Sequence, residues 1–207
     1  TRNVFPDKKI ILAGCLAERY AESLSQTLQE VDGIFGNGKI DEISSFVNDV
    51  FENSSSDSEK IPEVQVFPQE GVCDGNRIEF LNLPGSAYVK ITEGCNNHCS
   101  FCAIPLIRGE LRSRSVKKII AEIQTLLDKG IFEINLIGQD LASYGKGKNE
   151  PSEVLADFNS ESSPLATLLS EITQLTGEFW IRLLYIHPDN FPQDILQIMP
   201  ELQNSYP

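Results

Sequence analysis

Between Ala87 and Tyr185 short apolar runs alternate with stretches of helical period, and this alternation restricts the fold more than any other feature of the chain. Ala87-Tyr-Val-Lys-Ile91, Ile131-Phe-Glu-Ile-Asn-Leu-Ile137 and Phe179-Trp-Ile-Arg-Leu-Leu-Tyr185 have the length and β-branched or aromatic content of buried strands. Between the first two, Val116, Ile119, Ile120, Ile123, Leu126 and Leu127 make one apolar helical face, with Ser115 as N-cap and Gly130 as stop. Between the second and third, Leu165, Leu168, Leu169, Ile172 and Leu175 make another, opened by Ser163-Pro164 and closed by Gly177. Strands alternating with helices predict crossover connections and a parallel α/β sheet. Three strands cannot close a barrel, so a half-barrel or open arc is expected.

A smaller α/β unit precedes it. Lys8-Lys-Ile-Ile-Leu-Ala13 reads as a buried strand closed by Gly14, and a helix follows with Leu16, Tyr20, Leu24 and Leu28 on one face. Val31 to Phe35 forms a second strand, Gly36-Asn-Gly38 a turn, and Ile40, Ile43, Val47 and Val50 mark a second helix. Glu52-Asn-Ser-Ser-Ser-Asp-Ser-Glu59 has no apolar residue and reads as a linker. The expected domains are therefore 1–62 and 63–207, with only short extended pieces between 63 and 84.

The first strand of the larger unit runs into Glu93-Gly-Cys-Asn-Asn-His-Cys-Ser-Phe-Cys102. Cys95, Cys99 and Cys102 are three thiolates where a closed structural metal site wants four. An iron–sulfur cube held by three cysteines keeps one iron open to a small molecule. A zinc knuckle completed by His98 or Cys73 stays as an alternative of another class, a non-catalytic binding module, although adjacent ligands such as His98 and Cys99 rarely close one tetrahedron. Disulfides are disfavoured by the odd count of 5 cysteines and the lack of a secretory signal.

This C-x3-C-x2-C spacing, with Phe101 before the last cysteine, resembles the loop of the radical S-adenosylmethionine enzymes. Over nearly the whole chain the resemblance narrows to the methylthiotransferase family, and within it to the branch that modifies an aspartate of a small-subunit ribosomal protein. It is carried by Gly14-Cys-Leu-Ala-Glu-Arg-Tyr20, Val31-Asp-Gly-Ile-Phe-Gly36, Glu93 to Cys102, Ile104-Pro-Leu-Ile-Arg-Gly-Glu-Leu-Arg-Ser-Arg114 and Ile137-Gly-Gln-Asp-Leu-Ala-Ser-Tyr-Gly145. The branch that methylthiolates tRNA usually has Gln-Asn where Gln139-Asp140 stands, and tRNA is the alternative substrate.

The resemblance implies a partial N-terminal methylthiotransferase domain followed by the first half of a radical S-adenosylmethionine (β/α) partial barrel. It implies two 4Fe-4S clusters in the intact enzyme, with S-adenosyl-L-methionine as cosubstrate. Cys95, Cys99 and Cys102 would hold the radical cluster and Cys15 the second one, against a competing role for Cys15 as a small core residue. Gly138, Gln139 and Asp140 would lie beside the methionine amino group, against a competing role for Asp140 as a helix N-cap. Phe101 would shield the cluster and pack near the adenine, or fill core. Cys73 matches no motif and reads as an inert loop thiol.

Implied partners are a small-subunit ribosomal protein or the small subunit itself, and a flavodoxin- or ferredoxin-type electron donor. The implied location is the cytoplasm, with no membrane. Two further N-terminal cysteines, the later barrel strands and an RNA-binding-type domain would lie outside Thr1–Pro207, so the chain reads as a piece that is inactive in isolation.

Charge bears softly on substrate. The net charge of −13 is a poor start for gripping phosphates. Arg108, Arg112, Arg114, Lys117 and Lys118 form one basic island, whose arginines bind the cofactor carboxylate, the substrate aspartate or the neighbouring domain, or else make a solvated cluster. The acidic stretch Glu150 to Glu161 reads as solubilising surface, and His187 as structural.

Overall fold

The computed structural model describes residues 3–28, 30–52, 62–66, 84–158 and 161–200. The chain divides into two compact units, Thr1–Gly75 with Leu106–Gly109, and Asn76–Pro105 with Glu110–Pro207. The 53–59 part of the expected linker and Cys73 lie outside the described residues.

In the first unit β1 (Ile11–Ala13), β2 (Gly33–Phe35) and β3 (Glu63–Gln65) form a parallel sheet in that order. Side chains alternate across it, as the period of two requires. Leu12 and Ile34 pack with Ala17, Ala21 and Leu24 of α1 (Cys15–Thr27), while Ile11 and Phe35 pack with Ile43, Phe46 and Val50 of α2 (Ile43–Glu52). Helices thus cover both faces of β1 and β2, which is why those two strands are apolar, while the edge strand β3 reads Glu-Val-Gln. Gly33 lets α2 come close, since a methyl group there would stand 2.9 Å from Phe46 Cζ and from Val50 Cγ2.

Three expectations change here. The inner face of α1 carries Ala17, Ala21, Leu24 and Leu28, whereas Leu16 and Tyr20 are exposed. The helix kinks at Tyr20 (φ −126°, ψ 23°), and its small residues permit close approach to the sheet. The second helix buries Phe46, outside the expected stripe, after a 3-10 turn at Ile40–Glu42. β3 pairs with β2, so the first sheet runs past the boundary expected at 62/63.

The second unit follows the predicted alternation. β4 (Ser86–Lys90), β7 (Glu133–Ile137) and β8 (Trp180–Leu183) form a parallel sheet in the order β4-β7-β8. Between β4 and β7 in sequence lie β5 (Thr92–Glu93), α3 (Ile104–Arg108, whose residues from Leu106 on count with the first unit), β6 (Arg112–Ser113) and α4 (Val116–Asp128). Between β7 and β8 lie a 3-10 turn (Leu141–Ser143), α5 (Ser152–Leu155) and α6 (Pro164–Thr173), and α7 (Ile195–Ile198) comes last. Ala87, Val89, Ile134, Leu136 and Ile181 pack with Ile119, Ile123 and Leu126 of α4 and Leu165, Leu168, Leu169 and Ile172 of α6. The alternate positions Tyr88, Asn135 and Arg182 share one register row, as do Ser86, Glu133 and Trp180. That face is polar: Ser86 Oγ donates to Glu133 Oε1 at 2.9 Å, and Arg182 pairs with Glu133 Oε2 at 3.3 Å.

Candidate functional site

β5 and β6 pair antiparallel, and Arg114 N donates to Ile91 O at 2.9 Å beyond them. The cysteine loop therefore leaves and rejoins the sheet at one place. Gly94 makes the turn into it at φ 76°, a conformation that suits a residue without Cβ. Within the loop Leu111 N donates to Asn96 Oδ1 at 3.0 Å, Asn97 N to Cys95 Sγ at 3.4 Å and Cys102 N to Cys99 O at 3.0 Å.

All three thiols are partly exposed and His98 is exposed. Burial pushes the Cys95 thiol up. The Asn97 N–H opposes this, and Asp140, Cys102 and Cys99 add to it as neighbouring negative groups. The three sulfurs and the Asp140 carboxylate thus share one electrostatic neighbourhood, in which a bound cation reverses the repulsion. Among the described residues no three His, Cys, Asp or Glu side chains gather as a single-ion site. A cube places each sulfur on a different iron, so it asks for a wider spacing than one zinc ion does.

Asp140 is 3% exposed and ties this loop to two strand exits. Its Oδ2 accepts from Asn97 Nδ2 (3.0 Å), Ser143 Oγ (2.7 Å) and Asn190 Nδ2 (3.0 Å), and its Oδ1 from Ala142 N (3.2 Å) and His187 N (3.0 Å). It is the N-cap of the 3-10 turn and also holds the loops after β4 and β8. Burial pushes its carboxyl up, but the His187, Ser143, Asn190 and Asn97 donors outweigh that and hold it below the ordinary 3.8. A depressed folded value means that the stabilisation is complete above the unfolded value and is lost as pH falls through the folded one. Acid titration followed by near-UV circular dichroism should show Asp140→Asn unfolding with less pH dependence below about pH 4 than the parent.

Two buried atoms beside the loop, Thr92 Oγ1 and Gln139 Oε1, have no hydrogen-bond partner among the described residues. A methyl group on Gly138 would stand 2.1 Å from Thr92 Oγ1, so only glycine lets β7 end against Thr92. Unsatisfied buried polar atoms are costly, so a water or a ligand completes them. A thiol trio with spare acceptors at the carboxyl ends of parallel strands fits a cluster and a cationic small molecule. Phe101 is 90% exposed and does not fill core, whatever it covers when a ligand is bound.

The basic island is partly dismantled. Arg114 is buried, donating to Lys90 O at 2.7 Å and to Glu122 Oε2 at 2.6 Å, so it is not a solvated cation. Arg112 Nη1 donates to Glu110 O at 2.7 Å, with Glu93 and Glu150 as charged neighbours. Arg108 closes α3. In the first unit Cys15 opens α1 and is exposed, which removes its reading as a core residue.

The acidic stretch after Lys146 is not merely solubilising. Glu150 is buried, accepting from Ser113 N (2.9 Å) and Gly147 N (3.0 Å) and from Ser113 Oγ (2.6 Å). Asp157 Oδ2 accepts from Val116 N at 2.8 Å, capping α4, while Ser115 makes no side-chain cap bond. No sequence signal beside Glu150 or Asp157 marks these roles, because Ser113 and Val116, the buried ends they hold, lie 37 and 41 residues away. Glu150→Ala leaves the buried Ser113 N–H and the half-buried Gly147 N–H unpaired. It should lower unfolding stability by about 3 kcal/mol in urea titrations, with Glu150→Gln losing roughly 1 kcal/mol.

Residues 89–201 match the family described as the Radical SAM superfamily. The chain is 54% identical over 195 residues to a Treponema denticola protein named ribosomal protein uS12 methylthiotransferase RimO, covering 94% of this chain and 41% of that one. Proteins of the same name from Syntrophomonas wolfei and Akkermansia muciniphila are 40% identical over 190 residues and 37% identical over 203. These matches cover 92% and 94% of this chain and 39% and 43% of theirs. The chain thus spans about two fifths of the length of the curated relatives it matches.

Proposed function

This chain belongs to the radical SAM superfamily, and from that premise we propose that it is the cluster-bearing part of a methylthiotransferase acting on a small-subunit ribosomal protein. Bound together, a 4Fe-4S cluster and S-adenosyl-L-methionine supply a 5′-deoxyadenosyl radical, and the chain's own residues hold, orient and shield. The observation that carries the reading is the Asn97–Asp140 bond, which ties the loop bearing Cys95, Cys99 and Cys102 to the point where β4, β7 and β8 end.

In this reading Cys95, Cys99 and Cys102 ligate the radical cluster as thiolates. Thr92 Oγ1 and Gln139 Oε1 accept from the methionine ammonium, with Gly138 giving it room. Asp140 has its carboxylate filled by protein donors and sets the position of Asn97 and hence of the cysteine loop. Phe101 lies over the bound cofactors. Cys15, exposed at the start of α1, ligates the second cluster. An aspartate of uS12, the substrate printed in the relatives' names, is the acceptor, and a flavodoxin- or ferredoxin-type protein in the cytoplasm donates electrons. No helix among the described residues is long and apolar enough to cross a membrane.

The test is anaerobic reconstitution of the full-length enzyme, followed by mass spectrometry of small subunits and total tRNA from the same reaction. A methylthio group on the ribosomal protein supports the reading. A methylthio group on tRNA alone transfers the activity to the tRNA-modifying branch, and a colourless protein holding one zinc ion replaces the enzyme with a binding module.

A further inference from the structure

We propose that Tyr185 is a specificity-determining residue of this site, its ring laid against the polypeptide that carries the acceptor side chain. The proposal rests on the ribosomal-protein reading given above. Tyr185 is the one non-glycine residue with positive φ among the described residues, at 70°. That region is disfavoured for any residue with a Cβ, and glycine or asparagine would occupy it more easily. A bulky aromatic there persists only where its surroundings fix the backbone.

They do so from both sides. Leu184 N donates to Leu136 O at 3.3 Å, Tyr185 O accepts from Leu141 N at 3.0 Å, and His187 N donates to Asp140 Oδ1 at 3.0 Å. The carbonyl is thereby bound to the turn after β7 while the side chain stands 69% exposed. Among the described residues no hydrogen bond reaches its hydroxyl. The backbone next to it is held by the same carboxylate that holds Asn97 of the cysteine loop.

A strained backbone, an exposed ring and a position at the exit of a parallel strand make no contribution to the core that the described residues form. Together they suit a contact with something arriving from outside. Aromatic rings give large contact area at small entropic cost, which suits a peptide segment rather than a phosphate. The acidic chain adds to this, since its net charge of −13 does not favour a polyanion.

The test compares Tyr185→Asn and Tyr185→Phe with the parent in the full-length enzyme. Tyr185→Asn, which tolerates left-handed φ, should melt at or above the parent temperature. It should bind the purified ribosomal protein roughly tenfold more weakly in a fluorescence titration and raise its KM by a similar factor. Its kcat, its KM for S-adenosylmethionine and its deoxyadenosine formation without acceptor should stay within about twofold. Tyr185→Phe, which keeps the ring, should restore binding.

A lowered melting temperature with unchanged binding means that the ring packs against protein, and overturns the proposal. So does a rise in the S-adenosylmethionine KM with acceptor binding intact, or a Phe variant as weak as the Asn variant. If the parent cleaves S-adenosylmethionine but leaves the ribosomal protein unmodified, the functional reading fails. The titration still decides Tyr185, because equal binding by parent and Asn variant overturns it.

Discussion

Cys99→Ala in the reconstituted full-length enzyme should bring deoxyadenosine formation below about 1% of the parent, since even outer-shell partners of a metal site are worth 10- to 100-fold and the proposal makes Cys99 a direct ligand. The same holds for Cys95→Ala and Cys102→Ala. Two thiolates cannot hold a cube that already lacks a protein ligand on one iron. The loss should come without unfolding, because Cys99 is partly exposed and the loop is fixed by Asn96, Asn97 and the β5–β6 pair rather than by the thiols. Circular dichroism of the metal-free proteins should therefore superimpose, while the S-adenosylmethionine-dependent change in the cluster's paramagnetic resonance disappears. A Cys99→Ala enzyme that still produces deoxyadenosine would defeat the assignment.

Cys15→Ala should divide the reaction instead of abolishing it. With each cluster held by its own thiolates, about half the bound iron should be lost. Methylthio transfer should stop while deoxyadenosine formation persists. The exposed position of Cys15 makes the substitution nearly neutral for stability, within about 0.5 kcal/mol, so lost transfer cannot be blamed on a damaged fold. Iron assay, product mass spectrometry and deoxyadenosine chromatography on one sample give the three readings. Unchanged iron content would remove Cys15 from the ligand set.

The second unit was legible because its signals are local. The stripe Val116, Ile119, Ile123 and Leu126 is buried as its spacing requires, and Gly130 ends α4 at φ 81°. Ser163 accepts from Ala166 N at 3.2 Å with Pro164 in the first turn, as the dipeptide predicts. The cysteine spacing pointed to the superfamily that the match over residues 89–201 supports.

What stayed hidden depends on partners far along the chain. Ser115 reads as a cap, yet the bond to Val116 comes from Asp157. Glu150 reads as surface charge, yet it clamps Ser113 and Gly147. The inner face of α1 is faint in the sequence because alanines carry little weight in a hydrophobic stripe, though Ala17 is fully buried. Asp140 looked like a cofactor residue or a cap. Its further task, joining three loops, has no signature in neighbouring residues.

That joint sets an order of events during synthesis. Asn190 Nδ2 reaches Asn97 Oδ1 at 3.4 Å across 93 positions of sequence, and both meet Asp140. At about 5–20 residues per second, the ribosome makes Asn190 roughly 5–20 s after Asn97. Through that interval the contacts within the loop, Leu111 N to Asn96 and β5 to β6, are already available, and Asp140 can already meet Asn97. Only the Asn190 arm is missing, so the loop closes locally first and is locked to the third strand exit last.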